Sequence, residues 1–409
     1  MGDSKPKIHI PKHLIEEQFQ PQTEMLAVQE KPNKLYIGIP AESIIQEKRI
    51  ALVPSSVQTL VSRGHRVLVE RGAGLKSNFS DRDYTEVGAE IAYSKEQVYQ
   101  ASTIIKVAPP TVDEIELMRP NQILITPLQL PIINADYIKK LQEKRVIALA
   151  MEYMKDESGG FPVVRIMSEQ AGLCAMLTAA ELLTNANGGP GVLLGGISGV
   201  PSAKVVILGA GIVGEYATRT ALGLGAEVRV FDDSIYKLRR LQSLIGRQLY
   251  TSVMNPVYLQ RELVNADVVI GAIHSKLGRT PMVVNEDMVA SMKVGSVVVD
   301  VSIDQGGCFE TSEVTTHEQP TFTKHDVIHY CVPNIASKIS RTSSIAISNI
   351  LTPILLRAAN SGSVEKLIFN DYGLRNGVYT YKGKLTNDYL GRRFHISSTN
   401  LDLFLTSGY

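Results

Sequence analysis

VVILGAGIVGEYATRTALGLGAEVRVFDD, residues 205–233, packs four signals into one short stretch. A β-branched run predicts a strand that stops at Gly209. Gly209, Gly211 and Gly214 then follow in the G-x-G-x-x-G spacing, opening a helix from Ile212 and Val213. A second strand ends at Asp232. The three glycines serve different ends. Gly209 permits the tight turn, Gly211 permits close backbone approach to a pyrophosphate, and Gly214 permits helix-on-strand packing. The first N–H groups of the helix, at Ile212 and Val213, offer an anion free donors and a partial positive charge. Asp232, 23 residues after Gly209, is placed to accept hydrogen bonds from ribose hydroxyls. Its carboxylate, with Asp233 beside it and no arginine at the strand end, favours NAD over NADP. A glycine motif alone would fit a plain structural turn; strand, helix and acid together point to a dinucleotide.

The alternation continues on both sides. KLYIGIP, HRVLVERG, TIIKVAP, QILITPL and VIALAMEYM read as strands before residue 155, with helix-length segments between them. AEVRVFD, ADVVIGAI, GSVVVDVSI and VIHYCV continue the second series after 204, with helices expected at 212–224, 236–246, 256–266 and 285–292. Such alternation implies α/β architecture with parallel sheets covered by helices. Residues 168–183 and 343–359 are apolar helix candidates, the latter with Pro353 as a candidate kink. Residues 1–33 read as a mobile arm, and the tyrosine-containing tail from Asn360 yields no period.

With 409 residues, 44% hydrophobic, 20% charged and net charge +1, the chain is composed like a globular protein of two or three domains and unlike a nucleic-acid binder. No run reaches 18 apolar residues, and the N-terminus lacks the apolar core of a signal peptide. Cys174, Cys308 and Cys331 are odd in number and far apart, which suits a reducing compartment; a cytoplasmic protein without a membrane partner is expected.

IGIPAE (37–42), RIALVPSSV (49–57), RGAG (71–74), MSEQAG (167–172), GGPGVLLGGISGVPSAKVVILGAG (188–211), MKVGSVVVDVSIDQGGCFE (292–310) and HYCVPN (329–334) occur in one order. Together they resemble the alanine dehydrogenase family and, more weakly, the N-terminal domain of proton-pumping nicotinamide nucleotide transhydrogenase. The resemblance runs over residues 34–360. It implies two Rossmann-like domains: a substrate domain discontinuous in sequence (34–164 and 336–409) and an NAD-binding domain (165–335), with 1–33 as an extension. It also implies reversible oxidation of L-alanine by NAD to pyruvate and ammonium, an amino-acid or keto-acid substrate, and a homo-oligomer, hexamer or dimer.

Site residues follow from the same resemblance. Arg49 matches the arginine that grips the substrate carboxylate, a role suited to a guanidinium fork; otherwise it is a surface arginine. Asp304 matches the active-site aspartate, or else a turn residue before Gly306 and Gly307. Asn334 matches a residue beside nicotinamide and substrate, or a turn asparagine. Ser168, next to Glu169, matches a serine touching the cofactor, or the N-cap of the next helix. Lys237 matches a lysine near the adenosine, or a solvated helix lysine.

Two positions depart from the family. The lysine expected in the strand-end segment Lys106-Val107-Ala108-Pro109 is Ala108, and the acid/base histidine is Gln129. Glutamine hydrogen-bonds but does not shuttle protons near neutral pH. Three readings stand: an alanine dehydrogenase whose proton transfer comes from Asp304, Lys106 or another histidine such as His274; an oxidoreductase of another amino acid, with Gln129 reading its substrate; or a non-catalytic NAD(H)-binding protein.

Overall fold

Strands β1 (Tyr36–Ile39), β2 (Arg66–Glu70), β3 (Glu90–Ala92), β4 (Thr103–Ile105), β5 (Ile123–Thr126) and β6 (Ile147–Ala150) pair in parallel, in the spatial order β6-β5-β4-β1-β2-β3. Their short Ile-, Leu- and Val-rich runs are covered on both faces, as a parallel sheet between helices requires. The computed structural model describes residues 34–44, 46–275 and 278–406; the arm expected at 1–33 lies outside the described residues.

A second sheet holds β7 (Lys204–Leu208), β8 (Glu227–Phe231), β9 (Tyr250–Ser252), β10 (Val268–Gly271), β11 (Val297–Asp300), β12 (Thr321–Lys324) and β13 (Val327–Tyr330), in the order β12-β13-β11-β10-β7-β8-β9. β12 runs antiparallel to β13; the other pairings are parallel.

The tail that gave no period is structured. β14 (Val378–Tyr381) pairs antiparallel with β6, and β15 (Lys384–Leu385) pairs with β14, so the first sheet has eight strands. All four residues of β14 are buried, so the strand shows no alternation of polar and apolar positions. Tyr379 Oη meets Tyr137 Oη at 3.0 Å, and Thr380 Oγ1 donates to the Val146 carbonyl.

Two long helices lie between the sheets in sequence. The first spans Pro162–Leu182, six residues earlier than the segment from 168 suggests, because Pro162 starts it with Phe161 as its N-cap. Ser168 is therefore inside the helix and is not its cap. At Gly172 a Cβ would sit 2.4 Å from the Val213 carbonyl oxygen, so glycine lets this helix lie against the helix Ile212–Gly223. The second helix, Ser340–Asn360, continues through Pro353. Ser343 Oγ donates to Gln170 Oε1 at 2.5 Å, tying the two helices together in a buried contact.

Candidate active site

The residues singled out from the sequence gather where parallel strands end at their carboxyl side, the usual crevice of such sheets. After β7 the chain turns at Gly209 with φ +111°, in the region that favours glycine. A Cβ at Gly214 would lie 1.9 Å from the Gly209 carbonyl oxygen, whereas a Cβ at Gly211 would meet nothing within 4 Å. Gly214 is thus fixed by packing and Gly211 by open approach. The helix Ile212–Gly223 starts at Gly211 without a side-chain cap, which leaves the amides at Ile212 and Val213 free for an anion.

Asp232 turns toward this loop. Its Oδ2 accepts from the Ala210 N–H and its Oδ1 from the Ser234 N–H, both at 2.8 Å. Lys237 Nζ stands 3.3 Å from Oδ2. Each oxygen keeps accepting capacity. Glycine turn, uncapped helix and loop-facing carboxylate form a cradle that fits a dinucleotide. Arg240, which the sequence reading missed, donates through Nη2 to the Ala210 carbonyl at 3.2 Å, while its buried Nε has no partner among the described residues. Its signal was position: one turn beyond Lys237 on the helix Ile235–Ile245.

Opposite the loop, Arg49 is 6% exposed and Glu47 2%. Arg49 Nε and Nη2 donate to the two Glu47 oxygens at 2.7 and 2.6 Å, and Nη1 lies 3.0 Å from Met167 Sδ. Glu47 therefore holds part of the guanidinium fork, and burial removes Arg49 from any surface role. Asn334, whose φ of +56° is left-handed, bridges the sheets: Nδ2 donates to Glu47 Oε2 at 2.9 Å, and its N–H donates to Asp304 Oδ1 at 3.0 Å. Burial works to raise the Glu47 carboxyl, but the charge and hydrogen bonds of Arg49, with Asn334, outweigh it and hold it below its ordinary value. Asp304 touches solvent, yet protein crowds its carboxyl, and that desolvation raises it against the pull of the Asn334 N–H and Arg49. Arg49, Asn334 and Asp304 are thus brought together, although 285 residues separate the first two (334 − 49).

The remaining strand ends hold the two departures. Ala108 is buried, its carbonyl accepting from Thr126 Oγ1. Gln129 is half-buried with a left-handed φ of +44°, and its side chain makes no hydrogen bond among the described residues. Beside it, Glu152 Oε1 accepts from the Leu128 N–H at 2.7 Å while Oε2 is buried without a partner among the described residues, and desolvation raises this carboxyl. Lys106, 1% exposed, places Nζ 3.1 Å from Glu42 Oε2 and 3.8 Å from Glu114 Oε1. His274 is exposed, and its depressed basicity comes from desolvation and then from Lys237, at the Asp232 end of the crevice. Its neighbours Ile273 and Ser275 donate to Ser302 and Gln305 on either side of Asp304, but no hydrogen bond or ion pair links His274 itself to Arg49 or Asp304 among the described residues. His317, unremarked in the sequence, lies beside Asn334; its Nε2 is buried without a partner among the described residues, and desolvation lowers the basicity of the ring.

Family models for the N-terminal and C-terminal domains of alanine dehydrogenase/PNT match residues 38–171 and 175–388. The chain belongs to the alanine dehydrogenase/PNT family. The match extends past residue 360, where the sequence reading had ended the resemblance, because β14 and β15 are part of the matched region. The alanine dehydrogenase of Bacillus subtilis (strain 168) is 41% identical over 359 residues, 88% of this chain and 94% of the relative. That of Staphylococcus epidermidis is 40% identical over 367 residues, 90% and 98% of the two chains. Among solved structures, an L-alanine dehydrogenase superposes with TM-score 0.83 at 36% identity, covering 88% of this chain and 99% of that one. The transhydrogenase from Sinorhizobium meliloti gives TM-score 0.74 at 25% identity, covering 86% and 99%. No helix among the described residues of this alanine dehydrogenase/PNT member is long and apolar enough to cross a membrane.

Proposed function

We propose that this chain is an NAD-dependent amino-acid dehydrogenase that converts L-alanine and water, reversibly, to pyruvate and ammonium. The observation that carries this reading is the 41% identity to an alanine dehydrogenase over nearly the whole of both chains. The assigned roles draw support from the geometry. Gly209, Gly211, Gly214, Ile212 and Val213 hold the pyrophosphate, Asp232 and Lys237 the adenosine ribose, and Ser168 borders the cofactor from the connecting helix. When bound there, NAD supplies the acceptor for the hydride that leaves the substrate Cα. Arg49 orients the substrate carboxylate through the donors that Glu47 leaves free. Asp304 and Asn334 border the reacting carbon, and Gln129 contributes an amide that hydrogen-bonds the substrate without moving its protons.

The surface and the thiols bear on assembly and compartment. Leu193, Ile197 and Val200 are more than half exposed around a loop whose Gly195 rests on Leu224, itself exposed. Exposed apolar side chains clustered in one loop support a second copy as their cover, hence a homo-oligomer. The three cysteines are buried and unpaired, which supports a reducing compartment, the cytoplasm.

The test is NADH absorbance with purified protein, NAD and a panel of L-amino acids at alkaline pH. Turnover with alanine above the other amino acids is the expected result. A silent panel from protein that still binds NADH would overturn the reading.

A further inference from the structure

Neither Ala108 nor Gln129 can carry a proton, yet deamination must remove one from the substrate ammonium. The strand ends nearest those positions supply a different group. Glu42 follows β1, and its Oε1 accepts from the Val107 N–H at 2.7 Å, one residue before Ala108. Its side chain is 5% exposed. Its Oε2 is ion-paired with Lys106 Nζ at 3.1 Å and meets no other hydrogen-bond donor among the described residues, so it keeps accepting capacity. With alanine at 108, no long cationic side chain from that position covers the carboxyl. The charges of Arg49 and Glu47 both act on Glu42, which places it within electrostatic reach of the substrate-gripping pair.

We propose that Glu42 is the proton-transfer group of this site, accepting through Oε2 the proton that leaves the substrate ammonium. This rests on the deamination reading above. One N–H bond of the substrate breaks as the Oε2–H bond forms. The Cα–H bond then breaks with its electron pair leaving as hydride, and the nitrogen lone pair closes the C=N bond of an iminium. One water converts the iminium to pyruvate and ammonium. The proton on Glu42 passes to solvent and is the single proton that the net reaction yields. Lys106 acts through Glu42 and is a positioning residue: its ammonium steadies the ionised carboxylate.

The electrostatics suit this role. Desolvation raises the Glu42 carboxyl to about 7, and Lys106 pulls against that rise while Glu47 adds to it. Arg49, Lys95 and Tyr99 also feel its charge, and Glu114 shares Lys106 with it. An acid in this range is half-ionised near neutral pH, where a proton-transfer group works best. Deamination needs the carboxylate, so its rate rises with pH through about 7. Reductive amination needs the acid form and falls over the same interval.

The experiment compares wild type with Glu42→Gln, Glu42→Asp and Lys106→Gln, reading kcat and kcat/KM for alanine against pH, with NADH affinity by fluorescence as the check on folding. Glu42→Gln is expected to lose about 10²–10⁴-fold in kcat and the neutral-pH limb, with unchanged NADH affinity. Glu42→Asp should keep the limb at reduced kcat, and Lys106→Gln should move the limb to higher pH. A Glu42→Gln enzyme within about threefold of wild type, or one that keeps the limb, overturns the inference while leaving the deamination reading intact. A wild type silent with alanine overturns both.

Discussion

Gly211 and Gly214 stand in one loop under opposite constraints. A methyl at Gly214 meets backbone at 1.9 Å, so Gly214→Ala should cost about 1–3 kcal/mol of stability, seen as a lower denaturation midpoint. A methyl at Gly211 enters open space, so Gly211→Ala should fold normally but weaken NADH binding about tenfold or more, roughly 1.4 kcal/mol, measured by fluorescence titration. Arg49→Lys keeps the charge but loses the fork that grips Glu47; KM for alanine should rise about tenfold, with the protein still folded. At this scale legibility depended on distance along the chain. The glycine spacing and Asp232 are local, and their geometry follows from a strand, a turn and a helix. That Glu47 holds Arg49 is a contact between residues two apart, within reach of local reading; that Asn334 ties Glu47 to Asp304 depends on contacts that reach 287 and 30 residues along the chain, which no local pattern encodes.

Among the elements, most strands and helices followed from hydrophobic period and punctuation, and their ends agree to within a few residues. The early start of the helix Pro162–Leu182 escaped notice because its first turn, PVVRIM, resembles strand sequence; Pro162 at its first position was the available clue. β14 escaped because its burial on both faces erased the alternation that marks a strand. Gly172 is the joint where the long helix meets the nucleotide helix. Gly172→Val has to displace Val213 and Ala217 backbone, 2.4 and 2.8 Å from a Cβ, and so should impair NADH binding and stability together. Calorimetry with and without NADH would register both losses; normal ligand-induced stabilisation would contradict it.

Across the whole molecule, the C-terminal segment completes the first sheet. β14 covers the β6 edge, and the Tyr137–Tyr379 contact buries two hydroxyls against each other. Ending the chain after Asn360 would bare that edge and leave Tyr137 without its partner. Such a truncation should yield aggregated protein on size-exclusion chromatography, as uncovered edge strands invite intermolecular pairing. The resemblance to a known family made the two-sheet plan legible in advance, but the contribution of the tail came only from the pairing of β14 with β6.

The chain crosses between its two sheets by the helices Pro162–Leu182 and Ser340–Asn360, and these are pinned to each other where Ser343 meets Gln170. Side chains such as Met167, which touches Arg49, and Ser337, which bonds Gln46 and Lys48, add to this joint, so the two helices and the loops beside them act as one packed hub. The Asn334–Glu47 bond closes the crevice across this hub, so any separation of the amino-acid side from the glycine cradle has to break it first.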